Sequence, residues 1–141
     1  MSENAKEVTL EHKEKARQAL ENAPFPRLVG LELVDLSYGE AVIKLEMRDE
    51  LRQPYGLLHG GATATLIDTT TAFAVITTQT PGEQSTTVDL TIHYLRPHTD
   101  GEIVCTARTV RAGRRITTVS AEVVNGEGKL IATALTTYMK V

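Results

Sequence analysis

The chain has no tryptophan, 4% aromatic residues and a single cysteine in 141 residues. With so few large rings, the interior has to be assembled from Val, Ile, Leu, Ala and the many Thr. One cysteine, Cys105, excludes an internal disulfide and suits a reducing compartment. It lies among Ile103, Val104 and Ala107, where a thiol serves as a small core residue rather than a nucleophile. No apolar run approaches the ~20 residues of a membrane span. The polar start, Met1-Ser2-Glu3-Asn4-Ala5-Lys6-Glu7, has no apolar stretch behind it. A cytoplasmic location without a membrane partner is therefore expected. The formal net charge of −3 argues against a general nucleic-acid partner. His93 and His98 lack metal-ligand spacing with any other residue, so they read as surface or interface residues, and neither metal nor redox cofactor is expected.

What is present fits one soluble domain: 41% hydrophobic and 23% charged residues in a length that supports a single core. Ser2 to Asn22 holds good helix formers with a thin apolar stripe, Leu10, Ala16, Ala19 and Leu20, as in a surface helix docked on something larger. Pro24 and Pro26 end it, which divides the chain into an N-terminal helix, 1–23, and a main domain, 24–141. Leu28 to Leu36 and Ala41 to Met47 alternate as strands around a Gly39 loop. Thr86 to Leu95, Glu102 to Val110, Ile116 to Val124 and Lys129 to Met139 follow as four longer strands, too closely connected for parallel crossovers and so predicted as an antiparallel meander. In the first of these, alternation puts Val88, Leu90, Ile92 and Tyr94 on one face and Thr87, Asp89, Thr91 and His93 on the other.

Between the two sets of strands lies the stretch around which the rest is organised, Gln53-Pro54-Tyr55-Gly56-Leu57-Leu58-His59-Gly60-Gly61, continuing as a helix to Ile76. That helix has no clear polar face and is predicted to be buried nearly all round. Gly60 and Gly61 stand at its start, where backbone N–H groups have no partner in the helix and can bind an anion. Asp68 stands further along it among Ala, Thr, Leu and Ile, where a charge is costly without a partner or a purpose. The two features suit acyl transfer, with a preorganised N–H for a developing oxyanion and a carboxylate for the attack. Eight residues of helix separate them by about 12 Å. One helix cannot bring its own Asp68 to its own Gly60, so a site shared between subunits is predicted. An antiparallel sheet curled around one long central helix, with a further helix at the N-terminus, is the α+β hotdog fold.

The motif from Gln53 to Gly61 with Asp68 behind it resembles the hotdog-fold acyl-CoA thioesterases, most closely the PaaI-like branch. The likeness runs from about Pro24 to Val141 and includes Val88-Asp89, Tyr94-Leu95-Arg96-Pro97 and Gly128-Lys129-Leu130-Ile131-Ala132. The resemblance implies hydrolysis of a thioester to free acid and coenzyme A, with Gly60 as the backbone oxyanion donor and Asp68 as nucleophile or general base. It implies that Gln53 positions the carbonyl or water and that Thr87 orients water. Relatives with a Ser or Thr one turn after the acid are not matched, because that position is Ala72. It also implies a homodimer assembling to a homotetramer. His59 is expected to orient the glycine turn by a hydrogen bond. Gly61 and the turn residues Arg111, Arg114 and Arg115 are candidates for holding the coenzyme A of the substrate, since Arg forks suit its phosphates. The alternative is a non-catalytic hotdog module that binds acyl-CoA. A hotdog hydratase would need an Asp and His dyad that the sequence does not show.

Overall fold

The computed structural model describes residues 7–141. Helix α1 (Leu10–Asn22) begins where Thr9 and His12 cap each other: the Thr9 hydroxyl accepts from the His12 N–H and His12 Nδ1 accepts from the Thr9 N–H. The predicted start at Ser2 lies outside the described residues. Leu20 is buried, Lys13 pairs with Asp35 at 3.0 Å, and Arg17 donates to the Leu33 carbonyl at 2.8 Å, which lays α1 along the first strand. Pro24 does more than stop α1. It is the first residue of a second, short helix, α2 (Pro24–Val29), where a missing N–H costs nothing. Gly30, at φ 93°, ends α2 in the left-handed region. Strand β1 (Leu31–Ser37) consequently starts later than the predicted Leu28.

β1 forms a hairpin with β2 (Glu40–Glu46), and helix α3 (Gly60–Ile76) follows. Strands β3 (Ser85–Tyr94), β4 (Glu102–Ala112), β5 (Ile116–Asn125) and β6 (Leu130–Lys140) complete the chain. All pairings are antiparallel, in a six-stranded sheet of order β1-β2-β4-β5-β6-β3. The meander prediction holds only for β4, β5 and β6. β3 instead sits at the far edge beside β6, because β4 takes the free edge of β2.

The crossing from β3 to β4 runs past the ends of β6 and β5 and is tied to its surroundings. The N–H groups of Leu95 and Arg96 donate to the Ile131 carbonyl, Leu58 N–H donates to the His98 carbonyl and Met47 N–H donates to the Gly101 carbonyl. His98, read from the sequence as a surface or interface residue, is buried within the chain, with Nε2 2.9 Å from the Gly101 carbonyl. The crossing thus lies against the loop that leads into α3.

The sheet curls over one side of α3. Thr63, Leu66, Ile67, Thr70, Thr71, Ala74 and Val75 are buried against Ile43, Ile103, Cys105, Ala107, Val119, Ala121 and Val123. A fully buried Leu or Ile contributes about 2 kcal/mol by removal from water, and the small residues let helix and sheet approach closely. Cys105 is part of this core, its thiol pushed up to about 12 by burial. The opposite side of α3, through Ala64, Thr65, Asp68, Thr69 and Ala72, is only half-buried. The sequence predicted burial nearly all round, but within one chain the sheet covers a single side. No helix among the described residues is long and apolar enough to cross a membrane.

Candidate active site

The loop before α3 is held from several directions. Arg52 donates to the carbonyls of Gly56 and Thr99, each at 2.7 Å, and pairs with Asp49 and Asp100, each at 3.0 Å. His59 N–H donates to the Leu51 carbonyl at 2.8 Å. His59 then caps α3, its Nδ1 accepting from Gly61 N–H at 2.8 Å, so the proton of a neutral ring sits on Nε2. This is the orienting bond expected of His59. It also commits the Gly61 N–H to the cap. The Gly60 N–H has no partner among the described residues.

Tyr94 lies over Gly60, its hydroxyl donating to the Gly60 carbonyl at 2.7 Å; a Cβ on Gly60 would stand 3.4 Å from the Tyr94 ring and hydroxyl. Gln53, Gly60, Tyr94, Leu57, Pro97 and Ile131 line an open cavity of about 300 Å³. The Gln53 side-chain oxygen accepts from the Tyr55 N–H, which leaves its amide nitrogen as the available donor.

Asp68 lies two turns away with different neighbours. Its Oδ1 accepts from the Thr87 hydroxyl at 2.8 Å and lies 3.2 Å from the Tyr138 hydroxyl. Tyr138 also stands 2.7 Å from the Asp68 main-chain carbonyl and 2.8 Å from Thr71 Oγ1. Oδ2 has no partner among the described residues. Thr87 reaches Asp68 because β3 carries a bulge: Thr87 pairs with Tyr138, Asp89 pairs with Thr137, and Val88 between them is left over. Simple alternation had put Thr87 on the face opposite Leu90 and Ile92. The extra residue turns all three toward α3 and leaves Val88 outside, 54% exposed.

The described chain therefore gathers the predicted site residues into two groups, Gln53, His59, Gly60 and Gly61 at the start of α3 and Asp68 with Thr87 at its middle. The helical rise keeps them about 12 Å apart. Arg111, Arg114 and Arg115 are exposed at the β4–β5 turn, without an ion pair among the described residues, whereas Arg108 is taken by Glu40 at 3.4 Å. That turn belongs to the Asp68 end: Thr87 faces Tyr138, Tyr138 faces Thr117, and Thr117 faces Ala112 across the sheet. No group of three His, Cys, Asp or Glu side chains among the described residues could hold a metal ion.

Tyr138 and Arg52 were not singled out in the sequence, and Tyr94 stood out only as part of the Tyr94-Leu95-Arg96-Pro97 likeness. On β6, Leu135 and Met139 look like the core side, yet Leu135 is 52% exposed and Tyr138 points inward. Only the pairing with Thr87 reveals Tyr138's place.

A curled antiparallel sheet around one long helix, with a further helix at the N-terminus, defines a hotdog-fold protein. The family described as the thioesterase superfamily matches residues 55–132, more than half of the chain. The chain belongs to that superfamily and is an enzyme of the thioester hydrolase class. Human acyl-coenzyme A thioesterase 13 is 35% identical over 111 residues, 77% of this chain and 79% of that protein. The phenylacetic acid degradation protein PaaI of Thermus thermophilus superposes with a TM-score of 0.78 at 32% identity, covering 84% of this chain and 100% of that one. E. coli PaaI superposes with a TM-score of 0.84 at 24% identity, covering 94% and 96%, which speaks for the fold alone.

Proposed function

We propose that this chain hydrolyses acyl-CoA thioesters to the free acid and coenzyme A, in a site shared between two copies. The observation that carries the reading is Asp68: a carboxylate on the half-open side of a helix of small and apolar residues, held through Oδ1 and, among the described residues, unengaged at Oδ2. Oδ2 either takes a proton from water as its oxygen attacks the thioester carbon, or attacks that carbon itself to give an anhydride that water then opens. In both routes the C–S bond breaks and the coenzyme A thiolate leaves, gaining a proton. The Gly60 N–H receives the charge on the carbonyl oxygen, a donor of the kind typically worth about 3–4 kcal/mol. Thr87, its proton on Asp68, accepts a hydrogen of the water through its oxygen. Gln53 orients the thioester carbonyl through its amide nitrogen, and His59 with Gly61 holds the turn.

Support for a shared site comes from the separation along α3, from the half-buried side of that helix, and from β3, a 10-residue strand at the edge of the sheet that the described residues form. A second copy would bring its Asp68 to the first copy's Gly60, in a homodimer that pairs further into a homotetramer. Arg111, Arg114 and Arg115, without an ion pair among the described residues, then bind phosphates of coenzyme A. The catalytic domain spans 24–141 with α1 as an appendage, and the single buried cysteine suits a cytoplasmic enzyme.

The test is release of free thiol from a panel of aryl-, hydroxyaryl- and medium-chain acyl-CoA substrates. Turnover is expected with at least one class and is abolished by Asp68→Ala with the fold intact. Full activity in that variant, or binding of every substrate without thiol release, sinks the reading.

A further inference from the structure

Three hydroxyls converge on Asp68, and each has one proton to give. Thr87 gives its proton to Oδ1, with 2.8 Å between the oxygens. Thr71 Oγ1 has carbonyl acceptors within its own helix, Ile67 at 2.9 Å and Asp68 at 3.0 Å. The Tyr138 hydroxyl stands 2.7 Å from the Asp68 carbonyl and 3.2 Å from Oδ1 of the same residue. It therefore touches both the main chain and the carboxylate of one aspartate. Thr87 and Tyr138 are register partners on β3 and β6, so their side chains reach α3 side by side.

We propose that Tyr138 is a positioning residue for Asp68, bridging its carbonyl and its carboxylate so that Oδ1 stays turned into the sheet and Oδ2 is the oxygen left for chemistry. The inference rests on the function proposed above. A carboxylate joined to its helix by two rotatable bonds would otherwise exchange its oxygens, and Thr87 alone cannot distinguish them. The single phenol proton is shared, in a three-centre bond, between the Asp68 carbonyl and Oδ1, so exchanging the two carboxylate oxygens breaks the Thr87 bond together with the Oδ1 arm of the Tyr138 bond. Tyr138 is 3% exposed, and burial, with the Asp68 charge beside it, pushes its hydroxyl up to about 12. A hydroxyl held that high stays protonated at neutral pH and so remains a donor. Phe at this position would fill the space without the bond.

Steady-state hydrolysis of a substrate from the panel tests this, with Asp68→Asn measured alongside. Tyr138→Phe is expected to lower kcat about tenfold, the scale of one hydrogen bond to a charged group, with KM and thermal midpoint near wild type. Wild-type kcat in Tyr138→Phe beside an inactive Asp68→Asn overturns the role of Tyr138 and leaves Asp68 in place. Full activity in Asp68→Asn overturns the underlying reading instead. Should Tyr138→Phe fail to fold, 3-fluorotyrosine at position 138 retains the hydroxyl while making it a stronger acid. A kcat changed by about twofold or more, through the altered donor, supports the role; an unchanged kcat overturns it.

Discussion

The Thr87 hydroxyl lies 2.8 Å from Asp68 Oδ1, and it does so only because Val88 is bulged out of the β3–β6 pairing. The bond needs a hydroxyl and not the methyl beside it. Thr87→Ser is expected to hold kcat near wild type, while Thr87→Val lowers it about tenfold, the cost of one donor to a carboxylate. Equal kcat values for the two variants would show that the hydroxyl has no part in turnover.

Gly60 and Gly61 are neighbours with different duties. A Cβ on Gly61 would sit 2.9 Å from His59 Nδ1, so Gly61→Ala displaces the ring that caps α3. Loss of a cap costs about 1 kcal/mol of stability, readable in denaturant unfolding. The three atoms nearest a Cβ on Gly60 belong to the Tyr94 ring and hydroxyl, the closest at 3.4 Å. Gly60→Ala therefore keeps its fold, but it places a methyl at the mouth of the cavity and is expected to reduce kcat/KM by about tenfold or more. Unfolding and kinetics should thus rank the two variants in opposite order; the same ranking in both would contradict this division.

Much of this was legible in the residues. Helix breakers, alternating runs and turn clusters locate every strand, because each is a local preference of a few adjacent side chains. The cap by His59 and the isolation of Asp68 are local as well. What was not legible depends on strands far apart in the chain. Placing β3 beside β6 is a decision about sheet order, which no window of residues encodes. The inward turn of Thr87 depends on a bulge, and a bulge is defined only against a partner strand. Tyr138 shares that dependence: Leu135 and Met139 outrank its neighbours Ala134 and Thr136 in hydrophobicity, and the pattern misleads. Pro24 was misread for another reason, since the same residue that cannot continue one helix is well suited to begin the next.

If Gly60 and Asp68 act from different copies, two inactive chains can repair one another. Mixing Asp68→Ala chains with Gly60→Val chains should produce mixed dimers with one intact site each. Random pairing then restores about a quarter of wild-type activity, as follows from two-fold symmetry. Each variant alone should remain inactive. Absence of recovery in mixtures shown to exchange subunits would place both groups in one chain's site.

Arg111, Arg114 and Arg115 have no carboxylate partner among the described residues, so their charge is available to a substrate. Replacing all three by Ala should raise KM for acyl-CoA several-fold with kcat little changed. The same variant should lose most of the salt dependence of KM, since screening at ~0.1 M acts on such exposed pairs. An unchanged KM would return the turn to being an ordinary solvated hairpin.

The loop that carries Gly60 is fastened by Arg52 to Gly56 and Thr99, and by main-chain bonds to Leu51 and His98, before any ligand arrives. Ordering a backbone residue from a mobile state costs about 1–2 kcal/mol. A loop of this length left free would levy that cost on every binding event. Here that ordering is complete once the chain has folded, so the Gly60 N–H is already fixed in place for the role proposed for it.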